Sequence, residues 1–462
     1  MFTAETKPSS TIWVTAFGVA VGLAIATPLL GRSLFISGQT ISLVATAAAF
    51  LFFIFCRHDF RLGNNQLVAI GLVLLYVALV AMAAFPEQWD FLFHPRGWRD
   101  HADHYVTAKL TVFFIKTLPP IAFGVMFSVL QNRERAVKAM LLSMLATSMI
   151  AFVVLVSASD NLIRAPYAVA ADWYNGIGRA EFSTISMGLI LIIGAIVSLV
   201  LMSENRTRNL FISIFIGLCL LSTIMLDRRI DTALFVIAIV VILAERYFRH
   251  PTLRKSLIPT IAIILVPLTI WPFVTNDFNI EYWQTAPSGF RYRFDAFQNV
   301  VEYSTTPTYQ SAGATGEIAA LQKAAEDSLT NTSEISKLLR GGGLGLYAIR
   351  SDGGLLYPHN IVLETFLEIG VIAAAALLIA MAILLFPLAR KLFNRTITPE
   401  EAVTAAVATV LFLISLKSGD ASNIGNILLF AIVAGSIARA RRESRVTQPA
   451  SIPGVSSPDP LR

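Results

Sequence analysis

Residues 361–387 read IVLETFLEIGVIAAAALLIAMAILLFP, with Glu364 and Glu368 as the only charged side chains. A helix needs roughly 20 apolar residues to cross a bilayer, and this stretch is long enough to do so. Eleven further stretches have the same character: 11–30, 36–56, 66–85, 109–130, 136–157, 183–202, 209–226, 230–247, 257–274, 401–417 and 420–437. The sequence therefore predicts an all-α polytopic membrane protein with about twelve transmembrane helices.

The composition excludes several classes of protein. Of the 462 residues, 55% are hydrophobic and only 14% are charged, whereas soluble domains carry about 25% charged residues. A soluble enzyme, a nucleic-acid-binding protein and a disordered scaffold are therefore excluded. The two cysteines, Cys56 and Cys219, lie in apolar stretches, so no disulfide framework is expected. We interpret 11–30 as an uncleaved first span and not as a signal peptide. A signal peptide has a basic start, a short apolar core and a cleavage site after small residues, and this pattern is not seen here.

The distribution of positive charge predicts the orientation. With a cytoplasmic N-terminus, the cytoplasmic segments hold 20 of the 36 lysine and arginine residues, and the opposite side is net acidic. Cytoplasmic loops of membrane proteins carry an excess of Lys and Arg. Both termini are therefore predicted to be cytoplasmic, with an even number of spans.

The predicted spans divide the chain into four parts. Residues 1–274 contain the first nine spans, 275–358 form one large outer loop, 359–437 contain the last three spans, and 438–462 form a basic, then disordered, tail. Loops of such length are usually functional. Apolar residues at helical spacing predict that this loop is partly helical, over 289–303, 317–329 and 333–340.

The end of the outer loop carries a glycine cluster. Four glycines fall within Gly341-Gly342-Gly343-Leu344-Gly345. Glycine stops a helix and allows close backbone approach, so the cluster is either a flexible turn or a point of backbone packing. A nucleotide-binding P-loop is excluded because no Gly-Lys-Ser/Thr follows.

The glycines are followed by Tyr357-Pro358-His359-Asn360, directly before the tenth predicted span. Asn360 is a predicted helix N-cap. The positive end of the helix dipole would keep the His359 imidazole neutral and able to accept a proton. Glu364 and Glu368 lie within an apolar span, and carboxylates there are functional candidates. The alternative is that they face a polar cavity and only brace neighbouring helices.

These residues resemble the signature of the O-antigen ligase and polymerase superfamily. The matching pattern is Gly343-Leu344-Gly345, then the run from Tyr357 to Glu364, then Glu368-Ile369-Gly370. Twelve spans with one large outer loop before the histidine are similar to the ligase layout. The resemblance implies an enzyme of the bacterial inner membrane with a periplasmic active site.

The implied reaction is transfer of a glycan from undecaprenyl diphosphate to a hydroxyl acceptor, without a cofactor or metal. The ligases use lipid A–core as acceptor, and the polymerases use another lipid-linked repeat unit. His359 would be the base that takes the acceptor proton, and a single displacement would invert the anomeric carbon. The expected partners are the lipid-linked donor, the acceptor and membrane lipids, with no nucleic acid.

The resemblance also implies which residues bind the diphosphate. Arginine suits this role because it binds phosphate through bidentate, permanently charged contacts. Arg293 and Arg229 are the predicted catalytic arginines, with the neighbouring Arg291 and Arg228 as open alternatives for these two positions. Asn360, Glu364 and Glu368 are predicted to bind substrate. The other implied substrate-binding residues are Arg228, Arg291, Arg179 and Asp420. Arg228 and Arg229 lie between spans seven and eight. Alternatively, they form a structural ion network with Asp227 and Asp231.

Two alternative interpretations remain. One is a zinc site in the outer segment 86–108, although we favour a solvated polar loop there; its candidate ligands are His94, His101, His104, Asp100 and Asp103. The other is a flippase or transporter of lipid-linked oligosaccharides, which predicts charges deep in several spans and repeat symmetry. Within the resembling superfamily, a repeat-unit polymerase is the alternative to a ligase.

Overall fold

A computed structural model gives the fold. It describes residues 8–30, 38–58, 60, 62–94, 102–157, 184–203, 205–225, 229–249, 261–263, 265–267, 338–346, 360–418 and 424–447. Within these ranges the chain is almost entirely helical, with no strand beyond an isolated bridge between His58 and Leu130. The predicted all-α class is thus confirmed for the described part of the chain.

The helices are numbered in chain order, and short 3₁₀ turns follow α1 and α7. They are α1 (Pro8–Ala26), α2 (Gly38–Ile54), α3 (Asn64–Ala83), α4 (Pro86–Phe93), α5 (Ala102–Val129), α6 (Arg133–Ser157), α7 (Thr184–Ser198), α8 (Arg206–Met225), α9 (Arg229–Arg249), α10 (Ile361–Ile369), α11 (Val371–Phe393), α12 (Pro399–Ser418) and α13 (Ile424–Thr447).

Six of the described helices, namely α1, α3, α5, α6, α11 and α12, contain segments long and apolar enough to cross a membrane. Three shorter apolar segments lie in α2, α7 and α13. Large apolar side chains such as Leu43, Met82 and Phe386 are exposed on the outside of the bundle, as expected for a surface that faces lipid. Together these features indicate a multi-pass membrane protein.

Several predicted boundaries differ from the structure. The seventh and eighth predicted spans correspond to α8 and α9. Both are helical, but neither is among the six helices with a segment long and apolar enough to cross a membrane. The ninth, 257–274, is described only at 261–263 and 265–267, where it is helical. Most of the predicted outer loop, 275–358, lies outside the described residues. In addition, α4 forms within the predicted outer segment 86–108, and α13 continues past 437 to Thr447.

The predicted continuous span over 361–387 is wrong. Gly370 has φ +96°, a left-handed conformation that ends a right-handed helix and that glycine tolerates best. The chain therefore forms the nine-residue α10 and then the membrane-length α11. Glu364 and Glu368 lie on the short helix, and the long helix carries neither of them.

Close backbone contact holds α1 against α6. A Cβ added at Gly18 would lie 2.1 Å from the Ala136 carbonyl oxygen, and one added at Gly22 would lie 2.5 Å from that of Met140. Both pairs advance by four residues, so the two helices run parallel along a Gly-x₃-Gly stripe. Such small-residue stripes let helices approach closely in a membrane, where dispersion contacts drive association.

The helices that position the candidate site meet at one end of the bundle. α11 packs against α3, α13 packs against α5 and α12, and α10 contacts α3, α11 and α12. One apolar core cluster connects nearly all of them. As a result, the C-terminal end of α3, the N-terminal half of α5 and the whole of α10 lie close together.

Polar interactions at the opposite end connect the helices to each other. The Lys391 ammonium donates to Glu401 at 2.8 Å and to the Ala438 carbonyl at 3.1 Å. The same Glu401 completes a capping box with Thr398 at the start of α12. The buried Arg133 donates to the carbonyl of Ser436, 3.3 Å away on α13. These bonds join α6, α11, α12 and α13.

We expect Gly18→Ala to destabilise the protein by about 1–3 kcal/mol, because the new methyl group would overlap a backbone carbonyl that cannot move aside. Gly71→Ala is the matched control. Gly71 is an exposed helical glycine with no heavy atom within 4 Å of the added Cβ, so the change should be neutral or stabilising by about 1 kcal/mol. Thermal unfolding in detergent measures both. Equal midpoints for the two variants would contradict the α1–α6 contact.

Candidate functional site

The short helix α10 has defined structures at both ends. The Asn360 side chain accepts hydrogen bonds from the backbone N–H groups of Val362 and Leu363, at 3.0 and 3.1 Å. The predicted N-cap is therefore confirmed, and it satisfies two of the free donors at the helix start. Gly370 ends the helix and donates to the carbonyls of Thr365 and Phe366. This geometry fixes the position of the helix along its axis.

Three charged side chains are buried together between α5 and α10. The Lys109 ammonium lies 2.5 Å from Glu364 Oε1 and 2.8 Å from each carboxylate oxygen of Glu368. Both glutamates are fully buried, and Lys109 is 5% exposed. We call this cluster the Lys–Glu–Glu triad. With all three groups ionised it would carry a net charge of −1.

The glycine cluster packs against the other side of α10. The backbone N–H groups of Gly342 and Gly343 donate to the carbonyls of Leu367 and Glu368, at 2.9 and 3.0 Å. Those carbonyls belong to the last turn of the helix, which otherwise lacks donors. Gly341 has φ +73°, and a Cβ there would lie 2.4 Å from the Glu368 carbonyl carbon. Of the two predicted roles for the glycines, the structure therefore shows the close backbone approach.

The same turn also connects α10 to the α3–α4 corner. The Leu344 N–H donates to the carbonyl of Ala83 at 2.8 Å, and the Gln88 side chain donates to the carbonyl of Leu344 at 2.8 Å. The fully buried Gln88 in turn accepts from the N–H of Phe85 at 3.0 Å. The glycine turn is thus held on two sides, by α10 and by the corner after α3.

A buried tyrosine lies next to the triad. Tyr76 on α3 is fully buried, and its hydroxyl is close to Thr365, whose own hydroxyl donates to the Ile361 carbonyl. Among the described residues, none forms a hydrogen bond of normal geometry with the Tyr76 hydroxyl. The Tyr76 ring also lies 6.1 Å from the ring of Phe113, measured between centroids, so this side chain links α3 to α5 beside the triad.

The predicted site residues fall into two groups. Asn360, Glu364 and Glu368 all belong to α10, with Asn360 as its N-cap and the two glutamates in the triad. Arg229 is the first residue of α9, but its side chain lies outside the described part. The remaining predicted residues also lie outside the described residues: His359, Arg293, Arg228, Arg291, Arg179 and Asp420. Their proposed roles stay predictions.

Sequence reasoning missed Lys109. A signal for it existed, since Lys109 is an ionisable residue at the first position of the predicted span 109–130. The rule that marked Glu364 and Glu368 as functional candidates applies to it equally. Two carboxylates in an apolar segment also require a cation nearby, because buried charges are normally paired. The pairing itself joins residues 255 and 259 positions apart, which no local pattern encodes.

The alternative zinc site gains no support from the described residues. Within them, no three His, Cys, Asp or Glu side chains lie close enough to hold a metal ion. His94 and Asp90 form an exposed contact of 3.2 Å across one turn of α4. The other candidate ligands lie outside the described side chains: Asp100, His101, Asp103 and His104.

Comparison with known proteins gives no family. The chain matches no family model. It also matches no curated protein.

We expect Lys109→Met to destabilise the protein by about 3–5 kcal/mol, because it leaves two buried carboxylates without their cation. Lys116→Met is the matched control. It removes an exposed lysine two turns further along α5 and should not lower stability. Replacing the whole triad with neutral residues (Lys109→Met, Glu364→Gln, Glu368→Gln) should recover part of the loss. Thermal unfolding in detergent measures all three proteins. Equal effects of Lys109→Met and Lys116→Met would refute a stabilising triad.

Proposed function

We propose that this protein is a membrane glycosyltransferase of the O-antigen ligase type. It would transfer a glycan from undecaprenyl diphosphate to a hydroxyl acceptor, with lipid A–core as the preferred acceptor. The observation that carries the proposal is the fixed position of α10, whose N-cap Asn360 directly follows His359 in the chain. Each part of the resembling pattern that the structure describes serves this helix: the glycine turn, Asn360, the two glutamates and Gly370.

The chemistry assigns a role to each predicted group. His359 accepts the proton of the acceptor hydroxyl as its oxygen attacks the anomeric carbon of the donor sugar. The bond between that carbon and the phosphate oxygen breaks, and undecaprenyl diphosphate leaves. Arg293 and Arg229 neutralise the charge that grows on the diphosphate. One displacement inverts the anomeric carbon, and neither a nucleotide nor a metal takes part.

The described residues explain why a histidine at this position would be effective. A general base contributes about 10²–10⁴-fold, provided that it lies within hydrogen-bond reach of the proton it takes. Small displacements of catalytic groups are expensive in rate. The backbone that follows His359 is anchored by the Asn360 cap, the buried triad and the glycine turn. The N-terminal end of α10 also disfavours a positively charged imidazole, which keeps the base in its proton-accepting form.

A specific observation favours a second candidate function, a transporter. Transporters use buried ionisable residues in membrane helices to bind and move protons or ions. The triad, with one cation and two carboxylates, is of this kind. We favour the enzyme because the described triad lies at one end of the bundle. It is close to the glycine turn, which comes before α10 in the sequence. A polymerase of repeat units would use the same chemistry with a different acceptor.

We expect His359→Ala to lower transfer by about 10²–10⁴-fold while the protein stays folded, because the acceptor hydroxyl would lose its base. The assay uses purified protein in lipid vesicles, undecaprenyl-diphosphate glycan as donor, and lipid A–core or lipid-linked glycan as acceptor. His94→Ala is the control, since it removes the exposed histidine that directly follows α4 and should leave activity unchanged.

The outcomes of this assay separate the candidates. Transfer to lipid A–core indicates a ligase, and growth of the lipid-linked glycan indicates a polymerase. Movement of the donor across the bilayer without transfer would support the transporter and refute the enzyme. Loss of activity on addition of EDTA would refute the metal-independent mechanism.

A further inference from the structure

A groove of about 840 Å³ opens between α1, α2 and the start of α6. Its volume falls within the roughly 300–1,000 Å³ of ordinary small-molecule sites. The walls are apolar and include Val19, Leu23, Val44 and Phe52, while Arg135 lines one end. The groove is separate from the triad, because Lys109 lies near the start of α5 and Arg135 follows the end of that helix.

Arg135 is held in a defined orientation. Its Nε donates to the Thr15 hydroxyl at 3.1 Å, and that hydroxyl donates to the Thr11 carbonyl at 3.0 Å. The hydroxyl hydrogen is thus directed along α1, and an oxygen lone pair is free to accept from Arg135. The side chain of Arg135 is exposed, and the bond through Nε does not use its two terminal amino groups.

The length of the groove matches one acyl chain. Its lining residues on α1 extend from Ile12 to Leu23, which is about 16 Å at a rise of 1.5 Å per residue. One leaflet accounts for about half of the roughly 30 Å hydrocarbon core. A chain with its head group at Arg135 would therefore extend to about the middle of the bilayer.

We propose that this groove binds one anionic phospholipid, with an acyl chain along the groove and the phosphate on Arg135. The planar guanidinium offers a bidentate contact to phosphate oxygens. The described lining residues include Arg135 but no carboxylate, so none of them would bind the cationic half of a zwitterionic head group. The charge distribution of the sequence predicts this end to be cytoplasmic, and that leaflet is attractive to basic residues because it is rich in anionic lipid.

The test is lipid titration of the purified full-length protein in detergent, followed by native mass spectrometry. We expect phosphatidylglycerol to bind more tightly than phosphatidylcholine. Arg135→Gln should weaken phosphatidylglycerol binding by at least about tenfold, the value of a lost charge-assisted hydrogen bond. Lys138→Gln, the matched control, removes an exposed cation of the same helix that does not line the groove, and it should leave binding unchanged.

A second variant tests the groove itself. Ala45→Phe would fill it from α2 without changing the charge, and it should weaken the binding of both lipids. The proposal is overturned if the two lipids bind equally to the original protein, or if Arg135→Gln and Lys138→Gln have the same effect. It is also overturned if a second copy of the protein occupies the groove, which the measured mass would reveal. The readout requires no enzymatic activity, so it is independent of the proposed glycosyl transfer.

Discussion

The position of α10 depends on the pairing of one lysine with two glutamates inside the bundle. Neither Glu364 nor Glu368 has any exposed surface, so each needs a cation within the protein. Lys109 provides it from α5, and the cluster joins two segments that are far apart in the sequence. A buried ion pair adds little stability compared with an apolar contact, but breaking one is costly. We expect its main effect to be the selection of one register of α10 against α5.

The glycine residues also hold α10 in position, through contacts of the backbone. If α10 continued into α11 without a break, its last carbonyls would bond within the helix and the glycine turn would have no acceptors there. Gly370 interrupts the helix, and the turn then donates to Leu367 and Glu368. The backbone at Gly370 also packs closely against the segment before the glycine turn. A Cβ at Gly370 would lie 2.2 Å from the Leu339 carbonyl oxygen. The break, the turn and the triad are therefore parts of one arrangement.

Local features were predictable from the sequence because local chemistry determines them. The Asn360 cap follows from an amide before an apolar run, and the positions of most apolar helices follow from their composition. The break at Gly370 was missed, because a single glycine within 27 mostly apolar residues is a weak local signal. The partner of the glutamates could not be identified, because a tertiary contact decides which of the lysines is close enough. The roles of His359 and the arginines stay predictions, because the side chains of these residues lie outside the described part of the chain.

Both ends of the bundle contain buried charges, but these charges have different partners. Lys391, Glu401 and Arg133 join helix ends to one another through carboxylate and carbonyl acceptors, as expected for groups that tie loops to the bundle. The triad instead pairs three charged side chains with one another, and two of them, Glu364 and Glu368, belong to a helix of only nine residues. Nine residues are too short to cross a bilayer, so the two glutamates do not lie in a spanning helix, whereas Lys109 lies in the candidate span of α5. Under the proposed function, this pairing would hold the start of α10, and with it the histidine before Asn360, in one place, as a catalytic base requires.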